Sequence, residues 1–399
     1  MTLRNYAQPL AIGATLLSLF LCVCGLIVTL PPAYRGLGDF RQLYTAGYMV
    51  RSGHAAQLHD LIAGEEFQAK IVGPAVGALP FNHLAVESVL FAPLSFLPYR
   101  IAYIVFFLLN IALLFGAFHL LQPYLTSLAE VWRPLPLAIF AAFLPVSLAL
   151  TQGQDSILLL LLFAAALRHF DRNHEATAGV LVGLTLFKFQ YGLPVGFLFL
   201  VWRRWRFVAG FALSGAAMLV TSLALTGLPG FVAYLNTLTE MSSQFSQTYG
   251  IRYGIHPDLM PNLRGLVQAI TNDARPATPV ITLALSLAVV VWTATRRPSI
   301  PLALLASILV SYHHLITDTT MMILPAGLAL AGSLRANSSR KNSPRVAIVS
   351  ATLFVAPALL LLADARFYLL AVGMIGLLLL WDGDYDARRL GISEPSTLG

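Results

Sequence analysis

A carboxylate where the chain leaves a long apolar run, a lysine between two others, and a histidine pair ahead of an aspartate are the residues able to do chemistry. Asp39 follows the run 10–30 within Gly38-Asp39-Phe40. A carboxylate so placed can act as a general base towards a hydroxyl. It can equally cap the helix that the spacing of Phe40, Leu43, Tyr44 and Tyr48 predicts, with Gln42 reaching back as in a capping box. Lys188 stands between apolar segments that together resemble a broken hairpin. An unpaired charge in lipid is costly, so this ammonium must meet a phosphate, pair with Asp155, or snorkel to the interface. His313 and His314 begin a turn that closes at Asp318-Thr319-Thr320. Neighbours in a helix cannot both face one site, so one of them contacts an anion or both are structural, and the spacing is wrong for an HExxH zinc site. Gln152-Gly153-Gln154 is an amide-rich turn suited to a hydroxyl-rich ligand, or simply a turn. Asn262 and Arg264 can reach a phosphate or an acceptor, and Asn262 can instead cap a helix.

The elements that position these groups are membrane helices. Of 399 residues, 57% are hydrophobic and 11% charged, against roughly 25% charged in soluble domains. Apolar segments recur near 10–30, 84–97, 100–121, 134–150, 155–168, 176–187, 190–202, 207–226, 279–295, 299–316, 319–334, 346–362 and 366–381. This predicts an all-α, polytopic helix bundle in one domain, 1–399. The first segment is too long for the core of a cleaved signal peptide. Cys22 and Cys24 lie two apart and point to different helix faces, which argues against a disulfide or metal role. No P-loop, dinucleotide fingerprint or zinc spacing occurs, so neither cofactor nor metal is expected. The net charge of +7 fits basic cytoplasmic loops better than nucleic acid.

Arg4, Arg133, Arg168, Arg172, Arg203, Arg204, Arg206, Arg296, Arg297, Arg335, Arg340, Lys341, Arg345, Arg388 and Arg389 lie in short loops or tails. Placing all of them in the cytoplasm satisfies the positive-inside rule. It requires the short, proline-flanked 84–97 piece to dip in without spanning. About twelve crossings follow, with both termini cytoplasmic, a cytoplasmic loop at 335–345, and long extracytoplasmic loops at 31–83 and 227–278. Interfacial helices are predicted in both long loops, from Phe40, along Phe231, Tyr234, Leu235 and Leu238, and from Asn262 with Leu263, Leu266, Val267 and Ile270 on one face. A polar run from Ser242 to Thr248 separates the latter two. The polar residues then gather on the extracytoplasmic side.

The order of these elements resembles glycosyltransferase family 87, polyprenol-phosphate-sugar-dependent membrane enzymes of the GT-C type. The resemblance runs from residue 38 to about 335. It is carried by Gly38-Asp39-Phe40, Tyr44-x-Ala46, Gly53…Leu58-His59-Asp60, Phe81-Asn82-His83-Leu84, Ala92-Pro93-Leu94, Gly153-Gln154, Ala178-Gly179…Gly183…Lys188, Arg203-Arg204-Trp205-Arg206, Asn262-Leu263-Arg264-Gly265 and His313-His314 before Leu324-Pro325. Asn82-His83 stands where a double proline is usual, His59 where Tyr is common, Asp155 where Asn often follows Gly-Gln, and Ser311-Tyr312 where Ser-Pro is usual. The resemblance implies inverting transfer of a hexosyl group, in the mannosyltransferase manner, from a polyprenyl-phosphate sugar to a lipid or glycan hydroxyl. Asp39 would be the base. Lys188, Arg264, His313 and His314 would meet the donor phosphate, and Gln152, Gln154, Asn82 and Asn262 the sugar or acceptor. The implied place is the cell membrane, with the site extracytoplasmic. The competing expectation is a lipid or sugar transporter or flippase, which would favour polar groups at mid-membrane and inverted repeats.

Overall fold

The computed structural model describes residues 4–73, 79–242, 256–274, 276–335 and 342–381. The run 243–248 and most of the loop 335–345 lie outside the described residues. Among the described residues every regular element is helical and no strand forms. Helix α1 spans Arg4–Pro32 and leads through a π-helical turn, Ala33–Leu37, into α2 at Phe40–Arg51. Then come α3 (Leu61–Ile71), α4 (Ser88–Phe91), α5 (Tyr99–Leu121), α6 (Thr126–Val131), α7 (Leu135–Ala141), α8 (Leu144–Gln152) and α9 (Ser156–Asp171). The second half holds α10 (Glu175–Gly183), α11 (Phe189–Val201), α12 (Trp205–Ser242), α13 (Leu263–Thr271), α14 (Ala277–Ala294), α15 (Ile300–Val310), α16 (Ile323–Arg335), α17 (Ser343–Leu361) and α18 (Leu370–Leu380).

Among the described residues six helical stretches are long and apolar enough to cross a membrane, or seven with the pair α7–α8, bent by 44°. The count of about twelve exceeds this because α9, α15, α16 and α18 are each shorter than the ~20 residues a full span requires. Glu175–Val201 is one stretch by length, but it folds back. Arg204 pairs with Glu175 at 2.9 Å, and Phe199 packs on Phe170 with ring centroids 5.3 Å apart. Its two legs are α10 and α11, and Lys188 sits at the tip. The expected broken hairpin is present.

The piece 84–97 forms only short turns, Ala85–Glu87, α4 and Leu94–Phe96, none able to span. Helix α2 begins at Phe40 as its spacing predicts, but a single apolar stripe on a lipid surface is too narrow a description. Phe40, Arg41, Leu43, Tyr44, Thr45, Ala46, Gly47 and Met49 are all buried. The chain that returns through α4 and α5 covers it, with the Gly47 Cα against the Phe91 backbone and the Phe40 ring stacked on Phe106 at 5.1 Å. The expected helix along Phe231–Leu238 forms: Gly227 (φ 69°) is non-helical, and α12 is two helices that meet at that kink, the second carrying Tyr234 against His59. Helix α13 starts after Asn262 as expected, with Leu263 and Val267 buried and Ile270 exposed. Cys22 is buried and Cys24 exposed, both as free thiols.

Candidate active site

Two glycines bring distant parts of the chain together at Asp39. Gly153 has φ +66°, and a Cβ there would stand 2.6 Å from the Phe40 Cβ. Only glycine combines that backbone with that approach. Gly38 lies equally close to Ala33 and the Gln152 carbonyl. The Gln152-Gly153-Gln154 turn therefore seats directly on Gly38-Asp39-Phe40. Tyr103 secures the turn by donating to the Thr151 carbonyl at 2.6 Å, and Tyr99 secures the α1 exit by donating to the Ala33 carbonyl at 3.1 Å.

Asp39 occupies the residue before α2, yet its side chain makes no capping hydrogen bond. Its Oδ2 instead accepts from Gln154 Nε2 at 2.5 Å. Gln154 Oε1 accepts from Lys188 Nζ at 3.1 Å. The same ammonium stands 2.6 Å from Asp155 Oδ1 and 2.8 Å from Asp318 Oδ1. Lysine has three N–H donors, and three acceptors surround this one. Asp318 also accepts from Ser156 Oγ at 2.5 Å and Tyr191 at 2.9 Å. The ion pair between Lys188 and Asp155 is thus present, inside a larger network that joins the start of α2, α9, the α10–α11 hairpin and the turn after α15. The network leaves Asp39 half-buried, its Oδ1 without a hydrogen-bond partner among the described residues.

His83 and Glu87 extend the network behind Asp155. The His83 imidazole bonds Glu87 and lies 3.6 Å from Asp155 Oδ2. Burial pushes His83 down to about 4, while burial and the Asp155 charge hold Glu87 well above the usual carboxylate range. His83, Glu87 and Asp155 each offer a ligand atom, all within 4.8 Å of one another, a donor set of the type that holds divalent cations. Here the Lys188 ammonium already faces Asp155, and His83 bonds one Glu87 oxygen, leaving the Glu87 Oε1 buried without a hydrogen-bond partner among the described residues. Glu87 escaped the sequence reading because it lies inside an apolar segment, where a lone carboxylate is itself a signal. Tyr191 and Ser156 carried no such signal.

His314 is fully buried with both ring nitrogens engaged, by Tyr191 at 2.8 Å and Thr319 at 3.1 Å. His313 is half-buried, and its Nδ1 has no partner. Burial pushes both imidazoles down to about 4. Asn262 caps α13 by accepting from the Gly265 N–H and donates to the Ser311 carbonyl at 2.6 Å, while Arg264 donates to the Tyr312 carbonyl at 2.7 Å. Both therefore hold the backbone ahead of His313. Gln152 and Asn82 are half-buried and outside the network, and the Asn82 Oδ1 has no partner.

The sequence profile of glycosyltransferase family 87 matches residues 87–323. The match covers more than half of the chain, and the chain belongs to that family. It is a membrane glycosyltransferase by family. The matched range holds Gln154, Lys188, Arg264 and His313 but begins after Asp39. Neither the curated proteins nor the solved structures give a match.

Proposed function

We propose that this chain is a GT-C type enzyme that transfers a hexosyl group, mannosyl foremost, from a polyprenyl-phosphate sugar to a lipid or glycan hydroxyl at the extracytoplasmic face. The observation that carries the mechanism is the Asp39 carboxylate, with one oxygen fixed by Gln154 and the other open. The open oxygen takes the acceptor's proton as that hydroxyl attacks the anomeric carbon with inversion. The new C–O bond forms as the bond to phosphate breaks, and its electron pair leaves on the polyprenyl phosphate. Positive and hydrogen-bonding groups must meet that charge. His313, with a free ring nitrogen, suits this contact better than His314. Arg264 adds positive charge near His313, and Lys188 is assigned to the same phosphate although Asp155 and Asp318 already pair with it. Gln154, Gln152, Asn82 and Asn262 are assigned to the sugar and acceptor.

Membranes containing the protein, given radiolabelled polyprenyl-phosphate sugars, should transfer label to glycolipid or glycan. Asn is isosteric with Asp and caps helices about as well, but it cannot accept the proton. In Asp39→Asn turnover should fall by roughly a hundredfold or more while donor binding survives. Full turnover in that variant would refute the assignment of the base.

A further inference from the structure

A second polar cavity lies far from Asp39, and we propose that it binds the headgroup of an anionic phospholipid in the opposite leaflet. Asp155 opens α9 at the catalytic network, whereas Arg168 lies thirteen residues on, about 20 Å away at 1.5 Å per residue. There, between the ends of α5 and α9, a cavity of about 350 Å³ is lined by His119, Leu120, Pro123, Arg168, His169 and Arg172 among others.

The charge in the lining comes from two arginines, with Gln122 and two histidines beside them. Arg168 and Arg172 stand four apart on one helix face, where like charges repel. Arg168 meets Tyr124, its guanidinium carbon 5.8 Å from the ring centroid. Apart from that tyrosine, neither guanidinium has a hydrogen-bond or ion-pair acceptor among the described residues. Of the neighbouring carboxylates, Asp171 accepts from the same Tyr124 at 2.7 Å and reaches Arg168 through that hydroxyl, and Glu175 pairs with Arg204. His169 Nδ1 is shut off from water without a partner. The negative ends of α5 and α9 offset part of this charge but supply no acceptor inside the cavity. A phosphate diester does, because its oxygens match the planar guanidinium fork.

A lipid fits better than a soluble phosphate because, Gln122 aside, the rest of the lining is apolar: Leu120, Pro123 and Ala165. Phe115, one turn before His119 on the same face of α5, is 61% exposed on the outer surface of the bundle. Acyl chains can descend past Phe115 while the headgroup sits against the arginines. Basic pockets between membrane helices recognise anionic headgroups in this way.

The test uses the full chain purified in neutral detergent, with retained lipid counted by native mass spectrometry and unfolding followed by heating. Phosphatidylglycerol should be retained roughly tenfold or more over phosphatidylcholine and should raise the melting temperature. The variant Arg168→Gln/Arg172→Gln should lose that preference. Arg203→Gln/Arg206→Gln, which removes equal charge elsewhere in the basic loops, should keep it. Arg168→Lys/Arg172→Lys preserves the charge but not the fork, and should show an intermediate preference even if the glutamine variant folds poorly. No lipid preference in the unaltered protein would overturn the proposal. So would equal loss in both glutamine variants, or inorganic phosphate reproducing the whole thermal shift. The catalytic network is untouched by these substitutions, so glycosyl transfer can fail or succeed independently.

Discussion

Lys188 shows how one residue can satisfy two readings of the sequence at different levels. A lone lysine between apolar runs demanded an anion, and its partners are Asp155 and Asp318. Asp155, 33 residues before it, was among the partners the sequence offered; Asp318 was hidden, because it lies 130 residues after it. Removing one partner of a buried ion pair typically costs about 3–5 kcal/mol through the charges left behind. Lys188→Met strands two buried carboxylates, so it should lower thermal stability and yield steeply before any question of donor use arises. Gln154→Leu isolates the functional link. It leaves Lys188 facing both aspartates but frees the Asp39 carboxylate from its only side-chain hydrogen bond among the described residues. Melting should change little while turnover falls by roughly tenfold or more, an order set by misaligned bases. A Gln154→Leu enzyme with unaltered turnover would show that Asp39 needs no orienting partner.

At the scale of elements, the site is made by close approach of backbones that no periodicity reports. The start of α2 at Phe40 and of α13 after Asn262 were legible from apolar spacing, and the hairpin around Lys188 from its two runs. The burial of α2 on most sides was not, because an amphipathic pattern says which face is apolar and not whether protein or lipid covers it. The helix after the Gly227 break was legible from the stripe Phe231, Tyr234, Leu235 and Leu238, but its packing against His59 was not. Gly153 carries the closest approach at the site. Gly153→Ala should strain the left-handed turn and push Phe40 from its aromatic cluster, separating Gln154 from Asp39. Both melting temperature and turnover should drop. Gly64→Ala is the matched control: it lies in α3 with no atom within 4 Å of the added methyl. Alanine is favoured over glycine by up to about 1 kcal/mol within a helix, so this variant should be neutral or slightly more stable. Equal effects from the two would mean that the Gly153 turn is not what joins the halves of the site.

For the whole molecule, the separation of chemistry from positive charge was the clearest message of the sequence. Asp39, Gln154, Lys188, His313 and Asp318 converge at one end of their helices. Arg168, Arg172, Arg203, Arg204, Arg296, Arg297 and Arg335 occupy the opposite ends of helices that run from that network. The proposed orientation, which follows the positive-inside rule, puts the arginine end in the cytoplasm and the Asp39 end outside. The assignment is directly measurable with single cysteines in a background lacking Cys22 and Cys24. Ser52, exposed just after α2, marks the Asp39 end; Thr295, exposed just after α14, marks the arginine end. In intact cells Ser52→Cys should react with a membrane-impermeant maleimide, and Thr295→Cys should react only after permeabilisation. The reverse pattern would place Asp39 in the cytoplasm and remove the reason to invoke a lipid-linked donor at the outer face. Labelling of both sites in intact cells would deny that the two groups of side chains lie on opposite sides. The proposed direction of transfer depends on Ser52 alone reacting.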